Sequence, residues 1–137
     1  HVIIEGTGLA PSLPVAQTFF DPRVHPYFRL AHVLTVLDAS RLAAQLADEG
    51  ADGEGRLVRE QLALATTTLL NKVDLVSSAQ RQSLTASLQA MGLRVVPCRA
   101  GKVNLGDVLK AEGQTFAARA QAAGPGAHVP GVWSVGV

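Results

Sequence analysis

The chain has 137 residues, enough for one domain with a core of its own. Hydrophobic residues make up 47% and charged residues 17%, which excludes a disordered polyelectrolyte, and with aromatics at 4% the core must be filled by Leu, Val and Ala. Twelve basic against 11 acidic residues give a net charge of +1 with no basic block, which argues against a nucleic-acid or anionic-membrane partner; the apolar runs are too short to span a bilayer, and a single cysteine excludes an internal disulfide or a multi-cysteine zinc site.

Val2-Ile3-Ile4 reads as a short buried strand that ends in Glu5-Gly6-Thr7-Gly8. No Met precedes it, and the start has neither the charged region nor the cleavage site of a signal peptide. The expectation is a piece of a longer cytoplasmic protein. Pro11 and Pro14 suit a helix entry, since the first turn leaves its N–H groups unpaired anyway, and a short helix should end near Phe20. Asp21-Pro22 and His25-Pro26 mark a loop. Val33-Leu34-Thr35-Val36-Leu37 is a second buried strand ending at Asp38, with Ser40 placed to cap a helix through about Ala47.

Gly50, Gly53 and Gly55 break the pattern, and a helix resumes near Arg56 with Leu57, Val58, Leu62 and Ala65 on one face. Residues 66–70 form a third strand that stops at Asn71. Ser77 and Gln80 have capping-box spacing, Leu84, Leu88 and Met91 give the stripe of a surface helix, and Gly92 ends it. Residues 93–96 are a fourth strand. A short helix follows from Asn104 to about Lys110, another is expected over 116–122, and Val132, Ser134 and Val137 alternate in a tail strand after a Gly/Pro linker. Strands alternating with helices predict an α/β fold: three layers around a mostly parallel sheet. Ligands bind such sheets at the carboxyl ends of strands. Glu5 to Gly8, Asp38, Asn71 to Asp74 and Cys98 to Gly101 all fall there.

Asn71-Lys72-Val73-Asp74 fits Asn-Lys-x-Asp. Guanine presents two adjacent donors, N1–H and the exocyclic amine, and the carboxylate of Asp74 can accept both. Adenine lacks that pair, so the wrong base leaves the carboxylate unsatisfied. The stem of Lys72 can lie on the ring while its ammonium stays in water. Asn71 can bridge the base edge and neighbouring loops. The plain alternative is a polar surface turn; the preceding buried strand and the following capped helix favour the guanine reading. Glu5 at a strand end can hold a metal's water shell or position an attacking water, and Gly8 can offer its N–H to a terminal phosphate. A tight turn with one exposed carboxylate explains the same residues.

Together these segments, with Pro14-Val15-Ala16-Gln17-Thr18-Phe19-Phe20, Val36-Leu37-Asp38-Ala39 and Arg59-Glu60-Gln61-Leu62 at matching order and spacing, resemble the CobW family of cobalamin-synthesis and zinc-handling GTPases, which are related to the urease and hydrogenase accessory GTPases. The resemblance implies a P-loop GTPase fold and GTP with Mg²⁺ as ligands. It also implies zinc or cobalt as cargo and a metalloenzyme client as partner. By the same resemblance Glu5 is the acidic residue after the Walker B strand, Gly8 senses the γ-phosphate, and Asn71, Lys72 and Asp74 read guanine. The backbone of Cys98-Arg99-Ala100-Gly101 corresponds to the last guanine loop, with Arg99 and Ala100 touching the base. Asp38 at a strand end superficially suggests a phosphoacceptor, but the family has a structural Asp-Ala here, matched by Asp38-Ala39, which puts helix capping first for Asp38. Gly6 departs from the family's Ser or Thr, and Val73 from its commoner Thr.

Neither a Gly-x-x-x-x-Gly-Lys-Ser/Thr loop nor a Cys-x-Cys-Cys motif occurs in the chain. In the family both lie upstream of the segments matched here. The expectation is therefore the back half of a nucleotide-binding domain over 1–123, with 124–137 leading towards an absent C-terminal domain. It should retain guanine recognition without a phosphate grip and be inactive as a hydrolase on its own. The sheet surface left bare invites marginal stability or a homo-oligomer. A non-enzymatic α/β interaction module descended from a GTPase, or a piece of a P-loop GTPase unconnected with metals, are the alternatives. His25, His32 and His128 are too scattered for a metal site; Cys98 and Trp133 suit packing.

Overall fold

A computed structural model describes residues 2–7, 12–48, 50 and 54–109. Helix α1 (Ser12–Thr18) is followed by β1 (Leu34–Asp38), α2 (Ala39–Ala47), α3 (Glu54–Leu64), β2 (Thr67–Asn71), a single 3₁₀ turn (Val73–Leu75), α4 (Ser78–Ala90), β3 (Arg94–Pro97) and α5 (Leu105–Leu109). The three strands form one parallel sheet in the order β1-β2-β3. Asp38 stands level with Asn71 in the register, so the carboxyl ends of β1 and β2 finish side by side.

One face of the sheet carries the main core. Leu37 and Leu70 from the strands pack with Leu42 of α2, Val58 and Leu62 of α3, and Leu84 and Leu88 of α4. The i, i+4 spacing of Val58 and Leu62, and of Leu84 and Leu88, places each pair on one helical face. Leu42, Leu70 and Leu88 are fully buried, and each contributes about 1.5–3 kcal/mol by leaving water. Gly55 lets α3 approach α2 closely: a Cβ there would run into the backbone oxygens of Gln45 and Asp48. The entry to β1 is stapled to β2 by Thr66, whose hydroxyl accepts from the Val33 N–H and donates to the Val33 carbonyl, both at 3.1 Å.

Helix α4 has both expected terminators. The Ser77 hydroxyl accepts from Gln80 N–H, and the Gln80 side chain accepts from Ser77 N–H. At the other end Gly92 takes φ +73. Its N–H donates to Gln89 and that of Leu93 to Leu88, so the carbonyls of the last turn stay paired as the helix ends. Of the two candidate caps of helix α2, Asp38 is the N-cap and Ser40 is not; the Asp38 carboxylate accepts from the N–H of Ser40.

The second face is covered by α5, where Val108 packs on Leu69 and Cys98. Beside it Leu34 and Val36 of β1 remain 41% and 59% exposed. Val2-Ile3-Ile4 does not form the predicted buried strand. The three residues lie outside the sheet and are 69%, 91% and 59% exposed. A strand apolar on both sides needs cover on both faces, and the β1 side of the second face offers none among the described residues. Where a fourth strand was expected, β3 is thus the third. The helix expected over 116–122, the linker and the tail strand lie outside the described residues. No helix among the described residues is long and apolar enough to cross a membrane.

Candidate functional site

The carboxyl end of β2 and the loop after β3 meet at one end of the sheet. Asn71 is the last residue of β2, half-buried, and its side-chain oxygen faces the β3 loop. It accepts from the N–H of Gly101 at 3.1 Å and from the thiol of Cys98 at 3.5 Å. The ladder continues past the strands: Cys98 N–H donates to Leu70 at 2.9 Å and Val73 N–H to Cys98 at 3.4 Å. Cys98 is buried and its thiol is pushed up by that burial, so it stays protonated in a packing role.

The loop itself is a tight turn. Lys102 N–H donates to the carbonyl of Arg99 at 2.9 Å, and the two residues between have φ of +48 (Ala100) and +68 (Gly101). Two successive positive φ values make a type I′ turn. Glycine adopts this freely, but alanine bears a cost of about 1 kcal/mol or more because its Cβ crowds the carbonyl. Lys72 is also left-handed, at φ +58 and ψ +35. Both strained residues flank the same end of the sheet, and such strain persists only where neighbouring contacts over-determine it.

The left-handed turn at Lys72 swings the chain into the 3₁₀ turn, burying Val73 in the main core and leaving Asp74 on the surface. Asp74 has no hydrogen-bond or ion-pair partner among the described residues, so its carboxylate is open to a ligand. The ammonium of Lys72 reaches across to β1, where it donates to Asp38 at 2.6 Å. The other oxygen of Asp38 accepts from the Ser40 N–H at 2.9 Å and the Ser40 hydroxyl at 2.6 Å. Lys72 first, and Ser40 after it, hold the Asp38 carboxyl down at about 2. Asp38 is therefore ionised at neutral pH.

Five of the residues singled out from the sequence are thus brought together: Asn71, Lys72, Asp74, Arg99 and Ala100. Glu5 is not joined to them; it sits in the exposed stretch 2–7, outside the sheet. Gly8 lies outside the described residues. Among the described residues no three His, Cys, Asp or Glu side chains form a group able to hold a metal. Sequence reasoning placed Asp38 at a strand end but missed its bond to Lys72. The signal was there in weak form: Asp38 ends one apolar run and Lys72 follows directly on the end of another, and parallel neighbours bring such ends together.

At one end of the sheet the arrangement offers an exposed carboxylate, a lysine tied to β1 and a loop buttressed by Asn71. A planar heterocycle with two adjacent N–H donors matches the carboxylate. No solved structure matches the chain. A family model described as CobW/HypB/UreG, nucleotide-binding domain, matches residues 1–95, well over half of the 137. Its match runs through both strands that carry Asp38 and Asn71 to the start of β3. The chain belongs to the CobW/HypB/UreG nucleotide-binding domain family, a GTPase-type family.

Proposed function

We propose that the end of the sheet around Asn71, Lys72 and Asp74 is a guanine-recognition site. The observation that carries the reading is a surface carboxylate, Asp74, with no partner among the described residues, at the same end of the sheet as a loop that Asn71 fixes through Gly101. Asp74 accepts the two donors of guanine in one plane. Adenine leaves it without them. The Lys72 stem covers a ring face, and backbone groups of Arg99 and Ala100 approach the base edge. Family membership supports a nucleotide as the ligand.

The described residues fit the base end of a guanine nucleotide. GTP with Mg²⁺ would add the phosphate and metal chemistry, with Glu5 and Gly8 as the residues assigned to that end. Nothing in the sequence supplies a phosphate loop, and phosphate contacts give much of a nucleotide's affinity, so binding by these 137 residues is weak and turnover absent. In the wider reading the chain is a fragment of a GTP-hydrolysing metal chaperone, with zinc or cobalt as cargo, a metalloenzyme as client and a cytoplasmic setting. Titration with GDP and ADP, followed by amide shifts, tests the site. GDP shifts centred on residues 71–74 and 98–101, abolished by Asp74→Ala, are expected. Equal responses from wild type and Asp74→Ala refute the assignment. Sustained GTP hydrolysis by the purified chain refutes the claim of inactivity.

A further inference from the structure

We infer that Asp38 is a positioning residue for the guanine site, acting through Lys72; the inference rests on the reading proposed above. A lysine that covers a base must hold its flexible stem in one direction, and an exposed lysine carries about 2 kcal/mol of rotamer entropy against doing so. Here two features restrain it. The left-handed backbone at Lys72 sets where the side chain leaves the main chain. At the far end the ammonium is tied to Asp38 at 2.6 Å, on the neighbouring strand and level with Asn71. Asp38 is itself held from behind, since Ser40 donates twice to its other oxygen. The lysine stem is therefore suspended between the ends of β2 and β1. Its side chain stays 50% exposed, against 22% for Asp38, so the pair grips the charge while leaving part of the stem open to a ligand.

The capping and tethering roles of Asp38 use different oxygens, and they can be separated. Asp38→Asn keeps an oxygen for Ser40, and asparagine caps helices as well as aspartate; it removes the acceptor for the ammonium. Lys72→Met keeps an apolar stem and removes the charge. The experiment measures GDP affinity of the 137-residue chain by amide shift titration in wild type, Asp38→Asn, Lys72→Met and the double variant, with Asp74→Ala as the site control. Asp38→Asn should weaken GDP by about two- to fivefold, the scale of a half-exposed ion pair. The same substitution in the Lys72→Met background should change nothing further. In parallel, the Lys72 ε-methylene resonances should lose their distinct shifts in Asp38→Asn while the α2 amide resonances keep theirs.

Independent, multiplicative effects of the two substitutions would overturn the inference while leaving the guanine site standing, as would wild-type affinity in Asp38→Asn. Collapse of the α2 resonances in Asp38→Asn would show a folding role and would also overturn it. Absence of GDP binding by the wild type, or binding indifferent to Asp74→Ala, would refute the guanine reading and this inference with it.

Discussion

Replacing Asn71 by Ala tests how the two loops of the site are joined. Asn71 is the sole described link by which the end of β2 grips the Ala100-Gly101 turn through a side chain, accepting from Gly101 at 3.1 Å and more weakly from Cys98 at 3.5 Å. A neutral hydrogen bond is worth about 0.5–1.5 kcal/mol net. Gly101 is exposed, so water replaces the lost acceptor, which puts this bond near the lower half of the range. The thiol adds little. Against that, Ala100 is held at φ +48, a conformation that costs about 1 kcal/mol and that relaxes once the turn is released. That relief offsets most of the lost bond, so the expected global loss is at most about 0.5 kcal/mol, or roughly 2 °C in Tm. The local loss is sharper. Gly101 amide exchange should speed up by about two- to fivefold, while the amides of Leu84 and Leu88 follow only the global change. Urea unfolding with an unchanged slope, together with hydrogen exchange read residue by residue, measures both. Unaltered Gly101 protection in a correctly folded Asn71→Ala variant would refute the claim that this side chain holds the turn.

Gly55→Ala should destabilise by about 1–3 kcal/mol, because the added methyl meets backbone oxygens of Gln45 and Asp48 that have no rotamer to move away; a urea midpoint equal to wild type would contradict the close approach of α2 and α3. Ser77→Ala breaks the capping box of α4 and should cost about 1 kcal/mol, read from the same midpoint. Asp38 gives a pH dependence. Its folded pKa of about 2 lies below the ordinary 3.8, so its contribution is complete above about pH 5 and is lost as pH falls through the range between those values. Because Lys72 is half-exposed the contribution is at most about 1 kcal/mol. The stability gap between wild type and Asp38→Asn should therefore close as pH approaches 2, and a gap constant from pH 6 to 2 would contradict the ion pair.

Much of this architecture is legible in the sequence because it is local. The capping box at Ser77 and Gln80, the stop at Gly92 and the apolar runs of β1 and β2 each depend on residues within a turn or a strand of one another. Asn71 to Asp74 could be placed at a strand end for the same reason. Val2-Ile3-Ile4 shows the limit. An apolar run reports an affinity for burial, but burial needs a neighbour and a covered face, which the run itself does not encode. The Asp38–Lys72 pair spans 34 positions, and only the parallel register makes it. Asp38 could be ranked as a helix cap from its place before Ala39, but Ser40 offered the same chemistry, and backbone conformation decided between the two. The strain at Lys72 and Ala100 left no trace in composition; glycine would have announced it at either position.

The central claim is that Asp74 reads guanine. GDP and ADP titrations of wild type and Asp74→Ala, at the same pH and salt, test it most directly. Wild type should respond to GDP and not to ADP, with amide shifts confined to the ends of β2 and β3, and Asp74→Ala should lose that preference. Indistinguishable responses of the two proteins, or of the two nucleotides on the wild type, would contradict the account.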